Sequence, residues 1–232
     1  MSEHRPTDPR LAADLPAVFE AVFLPAVDSV LEEIRRRKAD GAEEGLLVWT
    51  ETQAQGHGQH GPWASPPGGL YCGILLEPDF PRERWPELGL VAVLALGTVT
   101  AELLPPLTGL DYGWPNDVLV NGHKVGGIAL HGAGEDGLVI LAHLNVAPPV
   151  EGWEYASLVA DGAADTTPGE ALGRYAAYLL DGLQRWHDEG LAAIARSLRA
   201  RGLRNIDPQS GGLIDPEQTL AGFFAEVCNE QH

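Results

Sequence analysis

An Asn-Gly dipeptide at 121–122, set between two apolar runs, constrains this chain more than any other feature. The stretch from Trp114 to Leu130 reads WPNDVLVNGHKVGGIAL. Asn and Gly both tolerate the positive φ that a two-residue type I′ turn requires, so the dipeptide predicts a tight β-hairpin of fixed register. Counting out from the turn, Val120 faces His123, Leu119 faces Lys124, Val118 faces Val125 and Asp117 faces Gly126. Side chains alternate along a strand, which puts Asp117, Leu119, Lys124 and Gly126 on one side of the sheet. Lys124 and Asp117 are then diagonal neighbours roughly 7–8 Å apart, with a side-chain-free glycine beside the carboxylate. Space is left between opposite charges.

The rest of the chain supplies elements around that hairpin. Leu15 to Val27 is apolar with two prolines, which suits an irregular strand or a short helix and strand. Ser29 and Glu32 form a capping box, followed by Ile34 and the basic run Arg35 to Lys38 where a helix C-terminus favours cations. Gly45 to Thr52 reads as a strand, and Gly69 to Glu77 as a second one apolar on both faces. Glu87 to Leu104 reads as a buried helix stopped by Pro105-Pro106. After Leu130 the chain turns across Gly132 to Gly137 and returns as Leu138 to Val146, making a three-strand meander with Lys124 near the sheet centre. Pro168 to Trp186 and Leu191 to Leu203 are amphipathic helices split by Gly190. This order predicts an α+β domain, a central mixed and largely antiparallel sheet flanked by helices, over residues 1–203. Residues 204–232 are too few for a further barrel and form a short extension or reduced cap.

Composition limits the function classes. With 33 acidic against 15 basic residues the formal charge is −18, which repels phosphate backbones and anionic membranes and argues against a nucleic-acid partner. No apolar run reaches the eighteen or so residues of a membrane span, and no targeting pattern opens the chain, so a cytoplasmic location is expected. Cys72 and Cys228 stand far apart without metal spacing and read as reduced thiols. Gly56-His-Gly-Gln-His-Gly61 satisfies G-x-G-x-x-G, but Pro62, Pro66 and Pro67 forbid the helix that a dinucleotide fingerprint must open. His57 and His60 lack a third convergent ligand, so no metal site is expected.

At Trp114, Pro115, Asn116, Asp117, Lys124 and Gly127 the chain resembles the biotin and lipoate protein ligase superfamily, in which a Trp-Pro-Asn-Asp run precedes a strand pair carrying Lys-Val-Gly-Gly. The resemblance extends to Gln53, Gly56, Gly58, Gly61, Trp63, Ser65, Pro66 and Gly69-Leu-Tyr71, the layout of that family's glycine-rich ligand loop, and to Asp28-Ser29 at its first helix. It implies a catalytic domain like that of biotin protein ligases. A small acid such as biotin or lipoate is activated there with ATP and magnesium and passed to a lysine of a carrier-protein domain. It further implies that Lys124 neutralises the acid's carboxylate and that Asn116 and Asp117 lie at the nucleotide. Ser29, Gln53, Gly56, His57, Gly58, Trp63, Gly127, Leu141, His143 and Asn145 then surround the ligand. A homodimer is compatible with this reading, and, with no helix-turn-helix pattern read ahead of the domain, a repressor role is not expected.

Two departures qualify that expectation. Where the family carries arginines in the loop, this chain has His57, Gln59, His60 and Pro62. A charge-assisted hydrogen bond is worth roughly 1.5–3 kcal/mol, so losing two costs on the order of a hundredfold to ten-thousandfold in nucleotide handling. Leu141 and His143 occupy positions where the family's glycines leave room, and each added side chain intrudes on a close-packed pocket at about 1–3 kcal/mol. Two function classes follow: an impaired or altered ligase, and a non-catalytic small-acid-binding or regulatory module of the same fold.

Overall fold

The structure is a computed structural model that describes residues 15–148, 155–207 and 219–228. Its centre is a seven-stranded sheet built from β1 (Glu20–Phe23), β2 (Leu46–Thr50), β5 (Leu70–Leu76), β6 (Leu110–Gly113), β7 (Asp117–Val120), β8 (His123–Ala133) and β9 (Gly137–Leu144). The spatial order is β1-β2-β5-β9-β8-β7-β6. Only the β1–β2 pair is parallel, so the mixed, largely antiparallel sheet expected from the sequence is what forms. The ligand loop is a separate two-stranded hairpin, β3 (Gln53–Gly58) and β4 (Gly61–Ser65).

Alternation along the strands builds two cores. On one face α1 (Val30–Ala39) lays Val30, Leu31 and Ile34 over Val48, Leu75, Ala129, Val139 and Leu141. Ser29 caps this helix by accepting the Glu32 N–H, a contact worth about 1 kcal/mol. On the other face α2 (Pro86–Leu103), α3 (Pro168–Glu189) and α4 (Leu191–Ala200) cover Trp49, Cys72, Ile74, Ile128, Leu130 and Ile140. Gly190, at φ 77°, ends α3 and opens α4. By length and composition the segment Arg82–Leu103 would suffice to cross a bilayer, but 72% of its apolar window is buried inside the fold, as suits the central helix of a core. Two short helical turns, α5 (Leu220–Phe223) and α6 (Ala225–Cys228), close this larger core with Phe224 and Val227. Of the extension read at 204–232, residues 208–218 and 229–232 lie outside the described residues.

The hairpin register departs from the simple count. Val120 faces His123 and Leu119 faces Lys124, but Val118 then pairs with Gly126 and Asp117 with Gly127. Val125 is the extra residue of a β-bulge, and it is buried in the larger core. The bulge is accommodated because Gly126 has no side chain: a Cβ there would lie 2.5 Å from the His143 carbonyl oxygen. Bulges bend and twist a strand. Lys124 Nζ consequently meets Asp117 Oδ1 directly at 2.6 Å, and the gap expected between the charges is closed. The edge strand β6, which precedes the cis Trp114–Pro115 peptide, has too short an apolar run to be read from the sequence.

Candidate functional site

Most of the candidate residues gather on the α1 face, beneath the β3–β4 hairpin. Gln53 begins β3 and ties the hairpin to the helix start: its Oε1 accepts the Val30 N–H at 2.8 Å, and its Nε2 donates to Ser65 Oγ at 2.9 Å. Gly56 is required where the two strands close, since a Cβ there would stand 2.4 Å from Ser65 Oγ and 2.5 Å from the Trp63 carbonyl oxygen. His57 shares a 3.0 Å hydrogen bond with Ser29 Oγ, so the capping serine serves both helix and hairpin. Gly58 pairs with Gly61 just before the turn.

Trp63 carries the hairpin across to the sheet. Lys124 Nζ lies 4.5 Å from the centre of its indole, and the His143 ring packs 3.7 Å from it, centre to centre. A cation over an indole adds about 0.5–2 kcal/mol, more as water is excluded. Gly127 completes the cluster: a Cβ there would come within 2.8 Å of Asp117 Oδ1, 3.0 Å of the Asn116 carbonyl oxygen and 3.1 Å of His143 Cε1. Burial, aided by the Lys124 charge, holds the His143 imidazole well below its usual range, so it is neutral at pH 7. Asp117 Oδ1 is shut off from solvent and meets Lys124 without an aligned hydrogen bond. Trp63 Nε1 and His143 Nε2 are likewise buried with no hydrogen-bond partner among the described residues.

The other candidates also carry scaffold contacts of their own. Asn116 lines the edge of β8: its carbonyl oxygen accepts the Ile128 N–H at 2.8 Å and its Nδ2 donates to the Ile128 carbonyl at 2.6 Å. Leu141 belongs to the α1 core, and Asn145 donates to the Ala156 carbonyl at 3.1 Å, holding the loop that follows β9. Cys72 is fully buried, and desolvation pushes its thiol up to about 12, which suits a core residue and not a nucleophile. Among the described residues no three His, Cys, Asp or Glu side chains converge as metal ligands. Gln59 is the site residue that sequence reasoning missed. Its carboxamide bonds Leu130, 71 positions away, and nothing local to Gln59 signals that contact.

This donor set suits one carboxylate better than a triphosphate. The hairpin Gln53–Ser65 contains no lysine or arginine, and the cluster's one lysine is already balanced by Asp117.

The fold is that of biotin protein ligases. The Aquifex aeolicus biotin protein ligase, solved in complex with biotin and ATP, superposes with a TM-score of 0.73 at 22% identity over 85% of this chain and 93% of that one. A biotin protein ligase-like protein of unknown function from a Silicibacter species superposes at 0.69, with 19% identity over 90% and 97% of the two chains. At these identities the likeness concerns the fold alone. In sequence, the Paracoccus denitrificans biotin--[acetyl-CoA-carboxylase] ligase is 29% identical over 184 residues, 73% of this chain and 76% of that protein. The bifunctional ligase/repressor BirA of Bacillus spizizenii is 31% identical over 111 residues, which is 46% of this chain and 33% of that protein. The chain therefore spans about a third of the length of the latter relative. The profile of the Biotin/lipoate A/B protein ligase family matches residues 62–200, more than half of the chain, and the chain belongs to that family.

Proposed function

We propose that this protein binds a small carboxylic acid of the biotin or lipoate type, with the carboxylate on Lys124, and that activation of the acid by ATP is impaired or altered. The observation that carries the reading is the charge inventory of the site. One ammonium, aimed into a cluster of neutral aromatic rings, matches one carboxylate, whereas a triphosphate demands several cations that the hairpin does not provide. The ligand carboxylate would compete with Asp117, whose poorly aligned contact with Lys124 makes it displaceable. Trp63 Nε1 and His143 Nε2, each left without a partner at about 1–3 kcal/mol, favour an acid whose far end can form hydrogen bonds. The described part of residues 1–203 forms the binding unit, and the segment 219–228 of the extension reaches the hairpin as a reduced cap where Phe223 packs on His60, ring centres 4.5 Å apart.

A working ligase is the second reading, favoured by the retention of Asn116, Asp117, Lys124 and Gly127 together. In it, a carboxylate oxygen attacks the α-phosphorus of magnesium-bound ATP and pyrophosphate leaves. A carrier lysine amine then attacks the acyl carbon, forming an amide and releasing AMP. The two readings separate in one experiment: calorimetric binding of biotin, lipoate and octanoate, alongside pyrophosphate release from ATP with each acid. Binding without pyrophosphate release supports the first reading, and release at rates typical of an enzyme overturns it in favour of the second. Absence of binding by every acid refutes both.

A further inference from the structure

Strand β8 outruns its neighbour. Pairing with β7 stops at Asp117 opposite Gly127, while β8 continues to Ala133. Backbone groups on that open edge still need partners, because an unpaired buried N–H or C=O is costly. Residues outside β7 supply them in turn, largely through side chains. Asn116 takes the rung at Ile128: its backbone carbonyl oxygen accepts the Ile128 N–H and its side-chain Nδ2 donates to the Ile128 carbonyl. Two residues on, Gln59 takes the rung at Leu130: its Oε1 accepts the Leu130 N–H at 2.8 Å and its Nε2 donates to the Leu130 carbonyl at 3.3 Å. A primary carboxamide is the one neutral side-chain group that matches a backbone rung, with donor and acceptor side by side. Gln59 is only 6% exposed, although it sits at the tip of a hairpin that carries exposed residues.

The position of that contact gives it a consequence for the ligand. The hairpin it pins down carries His57 onto Ser29 and Trp63 onto Lys124 and His143. The rung at Leu130 is therefore the far anchor of a flap whose near anchor is Gln53 on Val30. We propose that Gln59 is a positioning residue of the ligand site: its carboxamide, standing in for a missing strand beside Leu130, holds the β3–β4 hairpin closed over Lys124, and a ligand enters when those two hydrogen bonds open. The ligand part rests on the carboxylate-binding function proposed above. The closure itself does not.

The test uses Gln59→Met, which keeps length and bulk but forms neither hydrogen bond. Amide hydrogen exchange of the ligand-free protein is read at Leu130 and in the hairpin, with Ile74 and Ile140 in the sheet as internal controls. The expected result is exchange about tenfold or more faster at Leu130 and in the hairpin, with the two controls unchanged. Stopped-flow mixing with biotin should show association and dissociation both accelerated in the variant. Unchanged exchange at Leu130 and the hairpin overturns the proposal. So does acceleration at every amide together, which would make Gln59 a contributor to global stability only. If biotin fails to bind the wild-type protein, the carboxylate reading is what falls, and the exchange data still decide the role of Gln59.

Discussion

Replacing Lys124 with methionine keeps the aliphatic stem and removes the charge, and its effects on folding and on binding can be worked out separately. Lys124 and Asp117 retain 22% and 28% of their side-chain exposure, so their pair lies between two regimes. Exposed pairs contribute about 0–1 kcal/mol, whereas stranding one partner of a fully buried pair costs about 3–5 kcal/mol. A cost of about 2 kcal/mol follows, including the lost contact with the Trp63 ring. For a chain of this size that lowers the melting temperature by about 4–8 °C. Binding of a carboxylate should weaken by roughly 1.5–3 kcal/mol, about ten- to 150-fold. Asp117→Asn should act in the opposite sense on affinity, because it releases the ammonium from its competitor. The double variant Lys124→Met with Asp117→Asn should regain most of the stability and none of the binding. Calorimetric titration with the tightest acid among biotin, lipoate and octanoate, paired with a thermal melt of each variant, reads both quantities. Unchanged affinity in Lys124→Met together with a lowered melting temperature would refute the assignment and leave Lys124 a structural cation.

Three further outcomes are expected. His143 is held neutral by burial and by Lys124, while an unfolded histidine titrates near 6.5; below that pH the unfolded chain takes up a proton that the folded chain refuses. Its contribution is therefore present above about pH 6.5 and lost as pH falls, at up to about 1.4 kcal/mol per pH unit, and denaturant midpoints of His143→Phe between pH 7.5 and 5 should fall less steeply than those of the wild type. Gly127→Ala places a methyl group 2.8 Å from Asp117 Oδ1 and should cost about 1–3 kcal/mol while weakening carboxylate binding; a melt and titration identical to wild type would contradict the packing described. Thiol labelling of the native protein should modify the half-buried Cys228 and leave Cys72 untouched until denaturant is added, and rapid native labelling at Cys72 would contradict its burial.

Much of the fold was legible because it is set by short-range rules. The Asn121-Gly122 turn specified a hairpin, Ser29 announced the start of α1, and Pro105-Pro106 marked the stop of α2. The bulge at Val125 was not legible, since a two-residue turn fixes only the rungs nearest to it. What permits the slip is the missing side chain at Gly126, and that becomes meaningful only when the His143 backbone lies against it. The direct Lys124–Asp117 contact was hidden for the same reason. At the site, Lys124 and Asp117 were placed on one face by the hairpin count, their roles and the positions Trp63 and His143 came from the resemblance to a family, and the structure brings the four into contact. Asn145 and Leu141 were identified in the same way and are occupied with a loop carbonyl and the α1 core. Gln59 escaped because its partner is a backbone group in a strand 71 residues distant, a pairing with no periodicity to betray it.

The amide-lined margin of β8 also bears on solubility. An open strand edge is a template for pairing with another chain, and proteins blunt such edges with covering segments or charge. Here the cover comes from Asn116 at Ile128, from the Gln59 carboxamide at Leu130 and from Arg35 Nε on the Gly132 carbonyl at 3.0 Å, and the Gln59 contact travels with the hairpin. Each lifting of the hairpin bares the Leu130 rung in a strand whose neighbouring residues Ile128, Ala129 and Leu130 are all apolar. On the proposed gating, a protein kept without ligand would spend more time with that edge uncovered. If Gln59 gates the site as proposed, self-association should rise with protein concentration in the empty state and subside when an acid keeps the hairpin down, which would tie shelf life in solution to occupancy.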